Sequence, residues 1–148
     1  MTSTPSIHSR LSAAIRSVGL LLAALTSVAV ARLVLRSAEG RSVRWALTPG
    51  GRTDPAPSHH ALLDAMAAAV THIGTFRLVR ATCLEQALAL VLLLRIAGYR
   101  TRVTVGVSRA GSGFSAHAWV ECGGRTILCG GAPSTGLTPL PIPLACHG

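Results

Sequence analysis

The sequence predicts an α+β domain in which a cysteine-bearing helix packs on a small antiparallel sheet, preceded by an apolar N-terminal helix. Three observations carry that expectation. The run Thr82-Cys83-Leu84-Glu85 opens a helix that is apolar on all sides from Ala87 to Leu94. The segment from Arg102 to Val107 then alternates with period two, and two more strand-like runs flank Gly123-Gly124. Ahead of both, residues 11–36 are a long run of good helix formers with an apolar centre. At 148 residues the chain fits one ordinary compact domain.

The elements follow in order. In the first helix the uncharged stretch Ser17–Ala31 is bracketed by Arg16 and Arg32 and spans roughly 22 Å, short of the roughly 30 Å of a hydrocarbon core. Its basic start and Ala-Val-Ala ending at Ala31 resemble a signal peptide, but the apolar pattern resumes through Leu33, Val34 and Leu35, which favours a helix that docks on the domain, a partner or a membrane surface. Residues 37–57, rich in Gly, Pro, Thr and Arg, read as a linker. Ser58 is placed to cap a helix running to about Ile73, on which His59, His60 and His72 read as solvated or capping residues. The capping box then puts Cys83 at the first helical position, and Gly98 supplies a left-handed end. Val103, Val105 and Val107 mark a first strand, Ser108–Gly113 a loop, and Phe114–Glu121 a second strand. After the Gly123-Gly124 turn, Arg125–Cys129 is a third strand, and the Gly- and Pro-rich tail from Gly130 reads as irregular. The expected division is 1–57 for helix and linker, 58–130 for the catalytic core and 131–148 for the tail.

Composition narrows the function classes. The formal charge is +9, with fourteen basic residues that are all Arg, yet they are scattered and aromatics are only 3%, which argues against a nucleic-acid partner. The basic excess sits in residues 1–53, where seven Arg face Glu39 alone. Cys122, Cys129, Cys146 and His147 are metal-ligand types, but their spacing matches no structural zinc pattern, so no metal site is expected. Without a Cys-x-x-Cys pair, reduced cysteines in a cytoplasmic protein are the simpler reading.

The chemistry centres on Cys83 and His117. A thiol attacks carbonyl carbon as thiolate, and a helix N-terminus favours the anion through its partial positive charge and unpaired N–H groups. Those N–H groups are also placed to face a developing oxyanion. The base must come from elsewhere, and His117 lies centrally in a following strand, sharing one face with Trp119 and Glu121.

These residues carry a specific resemblance. Cys83-Leu84, Gln86-Ala87-Leu88-Ala89-Leu90, Leu94-Arg95, Gly98, Gly106-Val107 and His117-Ala118-Trp119-Val120-Glu121 together resemble the transglutaminase-like leader peptidase of lasso-peptide biosynthesis, in its split form without the leader-recognition domain. The resemblance implies a papain/transglutaminase-like cysteine protease that cleaves the leader from a ribosomal precursor peptide, with Cys83 as nucleophile, His117 as base and then acid, and no cofactor. It also implies a separate leader-recognition protein and an ATP-dependent lasso cyclase as partners, with the Arg-flanked helix as docking surface or peripheral membrane contact. The family's third triad member is an Asp about twelve residues past the His; here that position is Cys129, with Gly130 next, and neither is a carboxylate. Glu121, four strand residues from His117, is roughly 13 Å away along the strand and a poor substitute. Two other roles are compatible with the motif: a catalytically weak scaffold or docking subunit, and amide-forming acyl transfer.

Overall fold

Residues 7–37, 45, 47–110, 113–127 and 137–140 are described by the computed structural model. Helix α1 (Ile7–Arg36) starts a turn earlier than its apolar pattern suggests. In its second half Ala24, Val28 and Ala31 are buried, and the i, i+4, i+7 spacing puts them on one face against the next two helices. The small Ala side chains and Ser27, whose hydroxyl donates to Ala24 O at 2.8 Å, let the helices approach closely. By length and composition Ala14–Arg36 could cross a membrane. In this structure its second half instead packs into the domain, so the core draws on both sides of residue 57.

The stretch expected as a linker is pinned where it is described. Gly50 and Thr101 exchange backbone bonds at 3.0 and 2.7 Å, Arg52 N donates to Gly98 O, and Arg100 N donates to Thr53 O. Arg95 lies over the Trp45 ring, 4.1 Å from its centroid, and donates to Trp45 O. Pairing with a distant segment overrode the Gly- and Pro-rich composition that suggests free chain.

A 3-10 turn (Pro57–His59) precedes α2 (His60–Thr75). Ser58 is not the cap: Pro57, with its fixed φ, starts the tight turn one residue early, and His59 holds the cap position without a side-chain bond. Leu63, Ala67 and Val70 face inward from α2. Helix α3 (Cys83–Ile96) is the centre of the molecule, with every residue from Gln86 to Val91 buried, and Leu94 besides. Gly98 follows in the left-handed region, as its position predicts.

Four strands complete the fold: β1 (Thr101–Ala110), β2 (Gly113–Cys122), β3 (Arg125–Ile127) and β4 (Thr138–Pro139), in the order β3-β2-β1-β4. Gly123 and Gly124 both take positive φ, the geometry of a two-residue hairpin. Strands β1 and β2 pair from Thr101↔Cys122 to Ala110↔Gly113, so most of the expected loop at 108–113 is strand. Small polar residues there are a weak local signal, and cross-strand pairing outweighs them. Part of the tail is strand too: Pro139 pairs with Gly106, a position the sheet edge tolerates because no ladder donor is needed there. Residues 128 and 129 of the expected third strand lie outside the described residues.

The sheet has two unlike faces. Val103, Ala118, Val120, Cys122 and Ile127 join the helices in one apolar core. The other face carries Arg102, Thr104 and Gly106 opposite Glu121, Trp119 and His117.

Candidate active site

The capping box at the start of α3 is complete. Thr82 Oγ1 accepts from Glu85 N at 3.2 Å, and Glu85 Oε2 accepts from Thr82 N at 2.7 Å. Thr82 O takes the Gln86 N–H, which leaves the N–H groups of Cys83 and Leu84 without an acceptor among the described residues. Cys83 itself is half-buried and packs against the core cluster. A partly accessible thiol beside two open N–H donors is a geometry suited to an oxyanion next to a nucleophile.

Two further residues brace this helix start. Gln86 is 4% exposed, and its Nε2 donates to Ala81 O at 3.0 Å, holding the chain two residues before the thiol. Gly74 makes room for it, because a Cβ there would lie 2.6 Å from Gln86 Cδ. Arg32 reaches across from α1: Nε bonds Glu85 Oε1 at 2.9 Å, and an Nη bonds Glu85 Oε2 at 3.2 Å and Val79 O at 2.7 Å. The Arg32 hydrogen bond is the largest reason that the Glu85 carboxyl sits below its usual range, and it outweighs the upward push of burial. Neither bracing role was read from the sequence. Arg32 stands 53 positions from Glu85, and no local pattern links them.

His117 sits mid-strand on β2, paired with Gly106 of β1. Its ring is half-buried, and Nε2 is shut off from solvent without a hydrogen-bond partner. The Trp119 indole crosses Gly106, whose absent Cβ would lie 2.6 Å from the ring, and Leu137 closes in from the strand edge. Glu121 does not serve the imidazole: it accepts from Arg102 at 2.8 Å and from Thr104 at 2.9 Å. Burial pushes its carboxyl upward, but bonds from Arg102, Thr104 and Trp119 hold it below the usual range. It borders a separate open cleft of about 480 Å³ with Asp54, Arg100 and Arg102.

Helix α3 packs on β2, so the elements bearing Cys83 and His117 are neighbours. No hydrogen bond joins the thiol to the imidazole, which rises from the face bearing Trp119. Cys83 packs with the helices against the opposite face, that of Ala118 and Val120, so the structure does not bring the thiol and the imidazole into contact. Cys129 and Gly130, where the third triad member was sought, and Cys146 and His147 lie outside the described residues. Cys122 is buried in the core, and burial is the main cause that pushes its thiol upward, away from reactivity. His59 packs against Tyr99 with ring centroids 5.8 Å apart, and His72 is exposed. No cluster of three metal-ligand side chains occurs among the described residues.

A family model described as the transglutaminase-like superfamily matches residues 22–141, from the middle of α1 to two residues past β4. The chain belongs to the transglutaminase-like superfamily. No curated protein and no solved structure matched. The transglutaminase-like match starts inside α1, consistent with the burial of that helix's second half in the same core. This superfamily includes cysteine-protease-like enzymes, and the capped helix of Cys83 followed by an antiparallel sheet is the corresponding arrangement here.

Proposed function

We propose that this transglutaminase-like protein is a cysteine peptidase that removes the leader from a ribosomally made lasso-peptide precursor in the cytoplasm. The observation that carries the reading is Cys83, half-buried at the start of a doubly capped helix with two N–H groups open beside it. In this scheme the Cys83 thiolate attacks the carbonyl carbon of the scissile bond. The oxyanion faces the N–H groups of Cys83 and Leu84, and protonated His117 gives its proton to the departing amine. Water, deprotonated by His117, then hydrolyses the thioester and releases the leader acid.

The partners that accompany this reading are the precursor, a separate leader-recognition protein and a lasso cyclase acting on the freed amino terminus. Ile15, Val18, Leu22 and Leu33, exposed on the outer side of α1, support that helix as the docking surface, with a membrane surface as the rival occupant. The test is cleavage of a precursor in the presence of its leader-binding protein. Cys83→Ala and His117→Ala should each lower the rate by about 10³-fold or more. Cleavage at the native rate by either variant would sink the proposal.

The unpartnered Nε2 of His117 favours one second reading, a weakly catalytic docking subunit. A thiol-reactive probe separates the two. An activated Cys83 labels well ahead of Cys122, Cys129 and Cys146 near neutral pH, whereas a scaffold labels its accessible thiols at similar rates. Product mass distinguishes hydrolysis from amide-forming acyl transfer.

A further inference from the structure

The capping box that builds the start of α3 also puts a carboxylate in the same first turn as the candidate nucleophile. Glu85 stands two residues past Cys83, and its negative charge opposes the thiolate that the helix terminus favours. The same segment carries backbone strain: Arg80, three residues before Cys83, has φ 45, in the left-handed region. Arg32 meets both features. It forks onto the two Glu85 oxygens at 2.9 and 3.2 Å, and it bonds Val79 O, the carbonyl just ahead of Arg80, at 2.7 Å.

We infer that Arg32 is a positioning residue that acts on Cys83 through Glu85: it neutralises the capping carboxylate so that its charge does not oppose thiolate formation, and its bond to Val79 O holds the guanidinium in place for that. The inference rests on reading Cys83 as the nucleophile. The bidentate geometry is the form in which an arginine and a carboxylate pair most strongly. The Glu85 side chain is only 13% exposed and Arg32 28%, so solvent screens the pair less than it screens a surface pair. The other charged groups around the helix start are Arg36 on α1, beside Arg32 in the groove with Leu78 and Val79, and Arg77 and Arg80 in the turn. None of these bonds Glu85, whose partners are Arg32 and Thr82. Arg32 thereby makes α1 part of the catalytic unit.

The test is the rate at which iodoacetamide alkylates Cys83 in the full chain across pH 6 to 9, resolved from the other cysteines by peptide mass mapping. Arg32→Gln should react about threefold to tenfold more slowly at neutral pH, with its profile moved to higher pH. Arg32→Lys should fall between Arg32→Gln and the native chain. Glu85→Gln keeps the cap, because Gln also completes a capping box, and should react faster than native. The double variant Arg32→Gln/Glu85→Gln should return to within about twofold of the native rate, since the opposing charge is gone. A native rate in Arg32→Gln overturns the inference. So does a double variant as slow as Arg32→Gln, which is the signature of a merely structural arginine. If Arg32→Gln fails to fold, Glu85→Gln still decides: an unchanged or slower rate overturns the inference. Precursor cleavage by Cys83→Ala judges the nucleophile separately, so the two failures are told apart.

Discussion

Thr82, Glu85, Gln86 and Arg32 tie down the chain on both sides of Cys83, while His117 rests on a well-paired strand with its Nε2 buried and unmatched. Strand β2 is paired with β1 along its whole length, from Gly113 to Cys122. What differs is the last step, from backbone to reacting atom. On the cysteine side, side chains aim the element and leave the N–H groups of Cys83 and Leu84 open, where an oxyanion would sit, although Gln86 Oε1 is also buried and unmatched. On the histidine side the nearest acid in sequence is committed to Arg102 and Thr104, so the strand positions the ring without orienting it. The cysteine half is preorganised in the free protein, and the histidine half is left to be completed. Buried polar atoms without partners are costly and concentrate where function requires them.

The largest effect that tests this contrast lies under Cys83, in the helix it starts. Leu90 is fully buried on α3. Leu90→Ala should cost about 2–5 kcal/mol in urea unfolding, because the helix is enclosed by helices on one side and sheet on the other and cannot relax into the void. A loss under about 1 kcal/mol would mean that α3 is loosely held, and the contrast with β2 would fail. Smaller is the cap. Thr82→Ala should cost about 1 kcal/mol and Thr82→Ser much less, since serine caps equally well. Equal losses from the two would remove the hydroxyl from the account.

The parts of this arrangement that were legible in the sequence are those decided within a few residues. The Thr-x-x-Glu box, the Gly98 helix end, the valine alternation of β1 and the Gly123-Gly124 turn each carry their cause locally. The parts that were not legible depend on partners far along the chain. Arg32 reads only as the flank of an apolar helix until Glu85 is placed beside it. Residues 50–53 read as linker until residues 98–101 supply their pairing, and Thr138-Pro139 as tail until the free edge of β1 receives them. The candidate site divides the same way. Cys83 was identified by its own cap. His117 was identified by a motif and an alternation, neither of which supplies its hydrogen-bond partner.

The smallest expected effect is the most discriminating. If Nε2 of His117 is buried and unmatched, replacing the ring with an apolar side chain of similar size removes a desolvation penalty and loses no bond. His117→Leu should therefore unfold within about 0.5 kcal/mol of the native chain, or at slightly greater stability, while losing precursor cleavage. Stability retained with activity lost marks a residue kept for chemistry and not for the fold. Thr82→Ala gives the opposite pattern, a loss of stability with the thiol still in place. A His117→Leu loss above about 2 kcal/mol would mean that the imidazole is bonded in solution, and the two sides of the site would then be held alike.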